Sequence, residues 1–149
     1  MSVDLNAVAQ GLAAAVPYNA HLGLEYTSLE PGRSVVRLPD DDHLRNHVGS
    51  QHAGALFSVA EAASGGAFVS VFAERLGDIT PLASRASILY TKIARGPIDA
   101  EATLGHGDDL LAQLDSEGRV SFPVEVELRD RDGDTVASAT VEWHVRLNA

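Results

Sequence analysis

The sequence contains no cysteine, and this absence removes several classes of chemistry at once. Disulfide frameworks, thiolate zinc sites and cysteine nucleophiles are all excluded. The lack of thiols also agrees with a reducing compartment. The 149 residues are 45% hydrophobic. A chain of this size can therefore bury a core without cross-links, and we expect one domain over residues 1–149.

Basic residues are scarce as well. The chain has 11 Lys and Arg against 21 Asp and Glu, which gives a net charge of −10. Such a charge repels a phosphate backbone unless the basic residues are clustered, and the sequence has no such cluster, so we expect no nucleic-acid partner. The first ten residues lack the basic stretch and unbroken apolar run of a secretory signal, and we expect a cytoplasmic protein.

Only residues 53–73 form an apolar stretch long enough to be considered as a membrane span, which requires about 20 residues. Glu61 lies at the centre of this stretch, and Gly65 and Gly66 follow it. An ionised carboxylate at the middle of a bilayer costs about 3 kcal/mol. The pattern therefore favours a buried helix of a soluble protein, with no membrane span.

The first 51 residues are predicted as a helix, a hairpin and a loop. Apolar residues at spacings of three and four predict an amphipathic helix over about 3–16, which Pro17 ends. A hairpin follows over 22–38, with a Pro-Gly type II turn at its tip. Residues 39–51 are polar and predict a loop, and loops of this length are often functional.

The remaining elements predict a sheet that surrounds a second helix. This central helix, over about 52–75, is apolar on nearly every face and must be covered by other elements. All later elements are predicted as strands, over 83–94, 98–104, 120–128 and 137–147, joined by tight turns that favour antiparallel pairing. A sheet that covers such a helix has to curve around it, which indicates an α+β protein with the hotdog arrangement.

Glu61 is the most informative residue, because no other side chain of residues 53–73 carries a charge. Burial of an unpaired, ionised carboxylate costs several kcal/mol, or else it raises the pKa of the group. Such a residue persists when something offsets the cost, and catalysis is one such reason. Two structural alternatives are that Glu61 lies on a solvent-exposed stripe or pairs with an arginine of the core such as Arg85.

The start of the central helix is a second candidate feature. The first N–H groups of a helix lack intrahelical partners and lie at the positive end of its dipole. The N–H of Ala53 or Gly54 could therefore stabilise a developing oxyanion, and their small side chains leave room for it. The alternative is ordinary capping by a polar residue before the helix.

One motif connects the polar loop with the central helix: Asn46-x-x-Gly49-x-x-His52-Ala53-Gly54-Ala55-Leu56, then Glu61 and Ser64-Gly65. This motif is similar to that of hotdog-fold thioesterases of the phenylacetate-pathway type, and most similar to an uncharacterised, DUF4442-like subgroup with Glu at the acidic position. The resemblance extends from about Pro17 to Leu147.

The resemblance implies roles for the matching residues. Glu61 corresponds to the acid that attacks the thioester carbonyl or activates water, and Asn46 to the residue that positions water or the carbonyl. Ala53 N–H corresponds to the oxyanion donor, His52 orients the loop, and Ser64 corresponds to a hydroxyl that completes the site. Family sites are assembled across a dimer interface, so Asn46 and Glu61 that act together can come from different subunits.

Two features depart from the family pattern. Ala53 replaces the usual glycine and adds a methyl group that narrows the approach to its N–H. Glu61 replaces the commoner aspartate and reaches one methylene further. Gly49 and Gly54, which keep the pattern, are expected to line the substrate site.

Other residues give weaker signals. Arg85 and Arg95, on or just after the third predicted strand, could contact the phosphates of coenzyme A, although basic residues on such strands are usually the solvated face. His43, His47 and His52 could suggest zinc, but they lie in a predicted loop, without a helical face on which they would converge. An aspartate-rich segment over 130–134 resembles calcium ligands but lacks EF-hand spacing and is predicted as a hairpin turn.

The leading hypothesis is hydrolysis of an acyl-CoA thioester, with no metal or cofactor beyond the coenzyme A of the substrate. The alternatives are an acyl-CoA binding or sensing module without catalysis, and hydratase chemistry, which needs an Asp and His pairing that the sequence lacks. A single subunit would leave sheet edges unpaired and the site incomplete. We therefore expect a homodimer or homotetramer.

Overall fold

The computed structural model describes residues 2–149 and shows one long helix packed against a six-stranded sheet. The α-helices are α1 (Leu5–Ala15), α2 (Pro17–Leu22), α3 (Ala53–Phe72) and α4 (Gly107–Glu117), with 3-10 turns at Asp42–Leu44 and Ala73–Asp78. The strands are β1 (Glu25–Glu30), β2 (Arg33–Leu38), β3 (Ile79–Tyr90), β4 (Ile98–Thr103), β5 (Arg119–Arg129) and β6 (Thr135–Leu147).

The sheet confirms the predicted hotdog fold. Its strands are ordered β1-β2-β4-β5-β6-β3, and every neighbouring pair is antiparallel. Helix α3 contacts all six strands, so the sheet has to curve around it. The alternation of buried and exposed residues along β5 shows that one face of the sheet covers the helix and the other is solvated.

The core lies between α3 and the inner face of the sheet. Phe68 and Phe72 of α3 stack on Phe122 of β5, and Phe68 also stacks on Trp143 of β6 with ring centroids 5.4 Å apart. The run from Ala53 to Asp78 is long and apolar enough to cross a membrane, but 72% of its most apolar window is buried by the rest of the protein. It therefore forms the centre of the core, as predicted.

The helices and strands differ from the sequence prediction at several points. Pro17 occupies the first position of α2, where its missing N–H costs nothing, so it starts a helix as well as ending one. Strand β3 runs from Ile79 to Tyr90, so it begins and ends four residues earlier than predicted. Helix α4 was predicted as part of an all-strand region, which is wrong: Leu114 is fully buried and Gly118 caps the helix in the left-handed region at φ 75°.

Strand β3 is an edge strand with an exposed surface. It pairs only with β6, so its other edge presents unpaired backbone groups over 12 residues. Large apolar side chains lie on or next to it, and Leu82, Leu89 and Ile93 are 59%, 66% and 60% exposed. This surface has the character of an interface.

Candidate functional site

Glu61 lies on the one partly exposed stripe of the first three turns of α3. Gly54, Phe57, Ser58, Glu61 and Gly65 keep some exposure, whereas the residues between them are buried. Their spacing of three and four residues places them on one face of the helix. The sheet covers the rest of the circumference, so this stripe is where α3 can meet a ligand or a second subunit.

The carboxylate of Glu61 has no partner. Within residues 2–149 it makes no hydrogen bond and no ion pair, and burial raises its pKa above the ordinary value of 4.5. The proposed pairing with Arg85 is wrong: Arg85 is 80% exposed and lies 3.8 Å from Glu142. A partly buried acid that stays unpaired has a charge that is available for chemistry.

Tyr26 of β1 contributes to the surroundings of Glu61. Its hydroxyl donates to the carbonyl of Ala62 at 3.0 Å, one residue beyond Glu61. Burial, and then the negative charge of Glu61, raises the pKa of Tyr26. The phenol therefore stays neutral and holds β1 against the helix beside the acid.

Asn46 closes the loop before α3. Its Nδ2 donates to Ser50 Oγ at 2.9 Å and to Gln51 O at 3.4 Å, and its Oδ1 accepts from the N–H groups of Val48 and Ser50, both at 3.1 Å. Both donors and both lone pairs of the amide are thus in use. These hydrogen bonds shape the loop, and the implied role of Asn46 in positioning water or the carbonyl stays a prediction. Gly49, at φ 78°, supplies the left-handed residue of the same turn.

His52 caps the start of α3 and occupies one of the two candidate oxyanion donors, the N–H of Gly54. Its Nδ1 accepts from Gly54 N–H at 2.8 Å, which assigns the proton of the neutral ring to Nε2. A Cβ at Gly54 would lie only 3.1 Å from Nδ1, so glycine leaves room for this cap. The N–H of Ala53, in contrast, has no acceptor within the described chain, and Ala53 is an exposed residue at the positive end of the helix.

A cavity of about 360 Å³ adjoins Ala53. This volume is in the range of small-molecule sites. The hydroxyl of Tyr90, at the end of β3, donates to Ala53 O at 3.1 Å and fixes the helix start against one wall. The lining is mostly apolar: Val48, Leu56, Tyr90, Ile93 and Ala94, with Asn46, Ser50, Gln51, Ala53 and Lys92.

Glu61 and Ala53 do not meet within one subunit. Eight residues of α-helix separate them, which is about 12 Å along the axis at 1.5 Å per residue. Glu61 is absent from the lining of the cavity beside Ala53. One thioester carbonyl cannot contact both groups of the same chain.

Several predicted site residues lie elsewhere. Ser64 is fully buried, donates to Glu61 O at 2.7 Å and accepts from Trp143 Nε1 at 3.1 Å, so its hydroxyl serves the core and not the stripe. Arg85 lies on the exposed edge strand, whereas Arg95 lies between β3 and β4. Nowhere in residues 2–149 do three His, Asp or Glu side chains converge in a way that could hold a metal.

Sequence reasoning missed Tyr26, Tyr90 and Gln51. Gln51 is buried, and its Nε2 donates to Pro39 O at 2.9 Å and Gly96 O at 3.0 Å, which ties the loop before α3 to the segment after β3. Each of the three contacts connects segments far apart in the chain. The polar character of Gln51 directly before the helix cap was the one local signal.

Comparison with known proteins gives a consistent assignment. The family model for a domain of unknown function, DUF4442, matches residues 5–145. No protein of curated function matches the chain. A protein of unknown function from Pseudomonas aeruginosa, named a probable thioesterase, is similar with a TM-score of 0.88 at 26% identity, with 99% of each chain covered.

Two further solved structures are similar. A conserved protein from Pseudomonas aeruginosa is 30% identical with a TM-score of 0.71, over 87% of this chain and 94% of that one. The PaaI protein of the phenylacetic acid degradation operon of E. coli has a TM-score of 0.67 at 22% identity, over 94% and 92% of the two chains, and shows the shared fold. The chain belongs to the DUF4442 family, and it shares its hotdog fold with proteins named as probable or putative thioesterases.

Proposed function

We propose that the protein is a cytoplasmic acyl-CoA thioesterase in which Glu61 is the general base or the nucleophile. The observation that carries this proposal is the unpaired, partly buried carboxylate on the one accessible stripe of the core helix. A structural carboxylate in such a place is normally hydrogen-bonded or ion-paired. Thioesterase-like neighbours with the same fold agree with this chemistry.

As a general base, Glu61 removes a proton from water, and the resulting hydroxide attacks the carbonyl carbon. As a nucleophile, its carboxylate attacks directly and forms an anhydride that water then hydrolyses. In both cases the carbonyl oxygen becomes an oxyanion and the C–S bond breaks. In the general-base route Glu61 holds the proton taken from water, and its raised pKa makes it a suitable donor of that proton to the leaving sulfur. In the nucleophilic route Glu61 is bound in the anhydride, and the leaving thiolate takes its proton from water.

Ala53 N–H is the proposed oxyanion donor. It is the free amide at the helix start, because His52 already occupies the N–H of Gly54. One such donor is worth about 3 kcal/mol of transition-state stabilisation in acyl transfer. His52 and Asn46 act by holding the helix start and the loop in place. No metal or redox cofactor is needed for these steps.

The active site is proposed to combine Glu61 of one subunit with Ala53 N–H of another. The separation of about 12 Å within a chain supports this arrangement. So does the exposed edge of β3, which can pair with the same strand of a second copy around a twofold axis. Such pairing would cover exposed apolar surface of Leu82 and Leu89.

The direct test is a thiol-release assay over short, medium, long and aryl acyl-CoAs. We expect hydrolysis of at least one class by the wild-type protein and a loss of about 100-fold or more in Glu61→Gln. Saturable acyl-CoA binding by calorimetry without thiol release would instead favour a binding module. Sedimentation should give at least twice the subunit mass of 15.7 kDa, and a fully active monomer would contradict the shared site.

A further inference from the structure

A general base needs its water held at a fixed place beside it, with a lone pair of the water oxygen directed at the carbonyl carbon. On an α-helix, a side chain can share a small ligand with the residues three and four positions away, because these are its neighbours on the same face. For Glu61 these neighbours are Phe57, Ser58, Ser64 and Gly65. A side chain of α3 that helps Glu61 to hold a water is therefore one of these four.

Three of the four neighbours lack a free polar group. Phe57 is apolar, and Gly65 has no side chain. Ser64 is fully buried, and its hydroxyl is occupied on both sides, because it donates to a carbonyl of α3 and accepts from the core tryptophan. Ser58 is thus the one of these neighbours that places a hydroxyl on the partly exposed stripe of α3.

The hydroxyl of Ser58 is oriented by a contact within α3. Its single hydrogen is donated to Gly54 O at 2.8 Å, one turn earlier in the helix. The oxygen then acts only as an acceptor, with two lone pairs. The phenol oxygen of Tyr18, on α2, lies 3.5 Å away and meets at most one of them. One lone pair of Ser58 therefore remains for a donor on the stripe.

This arrangement suits a water molecule beside Glu61. Such a water donates one O–H to Ser58 Oγ and the other to the Glu61 carboxylate, which has no partner of its own within residues 2–149. Side chains three residues apart on a helix have Cβ atoms about 5–6 Å apart, a distance that one bridging water spans with two ordinary hydrogen bonds. Both hydrogens of the water then point at the helix, and its remaining lone pairs point away from it.

We propose that Ser58 holds the attacking water for Glu61, so that hydrolysis follows the general-base route. This inference rests on the proposed function and specifies its mechanism. Glu61 takes one proton of the water as the water oxygen bonds to the carbonyl carbon, and the C=O electron pair moves to the carbonyl oxygen. The oxyanion then re-forms the double bond, the C–S bond breaks, and the thiolate takes the proton from Glu61. Thioester and water thus give carboxylic acid and thiol, and Ser58 keeps its own proton throughout.

Threonine and valine at position 58 test the hydroxyl at nearly constant shape. Both are β-branched, and threonine keeps a hydroxyl that can bond the same carbonyl one turn earlier. In the thiol-release assay we expect Ser58→Thr to stay within about threefold of the wild-type kcat, whereas Ser58→Val and Ser58→Ala should lose about tenfold or more, because their water is misplaced. KM should be unchanged, since Ser58 contacts the water and not the thioester. Wild-type kcat in Ser58→Ala and Ser58→Val would overturn the inference.

Stability separates this role from a structural one. Serine is a poorer helix former than alanine, so Ser58→Ala should keep or raise the Tm while it lowers kcat. Ser116→Ala is the matched control, because Ser116 is an exposed serine of α4 whose hydroxyl also donates to a carbonyl one turn earlier, Gln113 O at 3.3 Å. We expect its kcat and KM to equal those of wild type. A loss of kcat in Ser58→Ala that Ser58→Thr shares in full would exclude the hydroxyl as its cause.

Rapid mixing distinguishes an attacking water from an anhydride. If Glu61 attacks the carbonyl itself, thiol release precedes the step that consumes water, and slowing that step in Ser58→Ala gives a burst of one thiol per site. If Ser58 holds the attacking water, thiol release is slow from the first turnover and no burst occurs. A burst in Ser58→Ala would therefore overturn the inference and leave Glu61 in the mechanism.

The activity of Glu61→Gln separates failure of this inference from failure of the proposed function. Inactive Glu61→Gln together with fully active Ser58→Ala would refute only the role of Ser58, whereas fully active Glu61→Gln would refute both. Tyr26 supplies the competing hydroxyl, since it donates to Ala62 O at 3.0 Å beside Glu61. A loss of kcat in Tyr26→Phe that Ser58→Ala lacks would assign the water to Tyr26 and overturn the inference.

Discussion

Replacing Glu61 with glutamine should move activity and stability in opposite directions. The substitution keeps the shape of the side chain but removes a charge that has no hydrogen bond or ion pair within residues 2–149. Loss of a general base or nucleophile lowers kcat by about 100-fold to 10,000-fold, or about 3–5 kcal/mol of barrier. Loss of an unpaired, partly buried charge removes a desolvation penalty and should stabilise the fold by up to about 1 kcal/mol. For a chain of this size that is a rise in Tm of about 2–4 °C.

Glu101→Gln provides the matched comparison with the opposite expected result. Arg33 Nε and Nη2 donate to Glu101 Oε2 at 2.9 and 2.6 Å, and these hydrogen bonds lower the pKa of Glu101. The side chain is 30% exposed, so solvent screening limits the loss to about 1 kcal/mol or less. It lies on the solvated face of β4, away from α3, and activity should be unchanged.

The two variants also differ in their dependence on pH. The folded pKa of Glu61 is raised, so its penalty is absent below its ordinary value of 4.5 and develops as pH rises through the folded value. The gain in Tm of Glu61→Gln should therefore appear at neutral pH and vanish in acid. The folded pKa of Glu101 is lowered, so its contribution is present above 4.5 and is lost as pH falls through the folded value.

The stability change of each variant is measured as the calorimetric Tm at pH 4 and pH 7, and its activity change as the rate of thiol release. A Glu61→Gln protein that loses both Tm and activity would show that the acid has a structural role. Activity within tenfold of wild type would remove Glu61 from the mechanism. A loss of activity in Glu101→Gln as large as that in Glu61→Gln would show that the loss does not depend on the position of Glu61 on α3.

Three further predictions concern the same site. The kcat/KM of the wild-type protein should rise with pH through a pKa above 4.5 that belongs to Glu61, and the residual kcat/KM of Glu61→Gln should lack this rise. A wild-type profile that is flat from pH 4 to 8 would contradict the role of Glu61 as base or nucleophile. His52→Ala removes the side chain that caps α3 and should lower the free energy of unfolding, measured by urea denaturation, by about 1 kcal/mol. An unchanged midpoint of the urea unfolding curve would exclude the cap as a source of stability. Gly66→Ala places a Cβ 3.0 Å from Ser34 Cβ and from Tyr26 Cε1. The cost of this overpacking, about 1–3 kcal/mol, should exceed the gain in helix propensity of about 1 kcal/mol, so we expect a lower Tm. A higher Tm would show that the neighbouring side chains move aside without cost.

Much of the fold follows from periodicity, because one face of each strand is buried. Buried positions are apolar, so the two-residue alternation of apolar residues along β5 and β6 predicts their buried face. The continuous apolar character of α3 likewise predicts that it is covered on most sides. Helix α4 escaped prediction because its apolar face is a short stripe, Leu110, Leu111 and Leu114, among acidic residues. Two acidic residues in its first turn and Gly118 at its end were available as signals.

The candidate site was only partly predictable. Glu61 is conspicuous in the sequence because it is the one charge in an apolar segment, and its catalytic role remains a prediction. The burial of Ser64, in contrast, depends on Trp143, which lies 79 residues away in the chain. The approach of the Arg131 guanidinium to Gly96 joins the turn between β5 and β6 to the segment before β4, 35 residues earlier in the chain. Contacts of this range leave no periodic trace in a single sequence.

The most direct test of the account is complementation between two inactive variants. Ala53→Pro removes only the proposed oxyanion donor: proline is well tolerated at the first position of a helix, and His52 before it is already extended, at φ −65° and ψ 140°. Each variant alone should be nearly inactive. If Glu61 and Ala53 act from different subunits, random mixing of Ala53→Pro and Glu61→Gln subunits should restore about one quarter of wild-type activity, since half of the dimers then contain one intact site of two. A mixed preparation, verified to contain heterodimers, that stays as inactive as its parents would contradict a site shared between subunits.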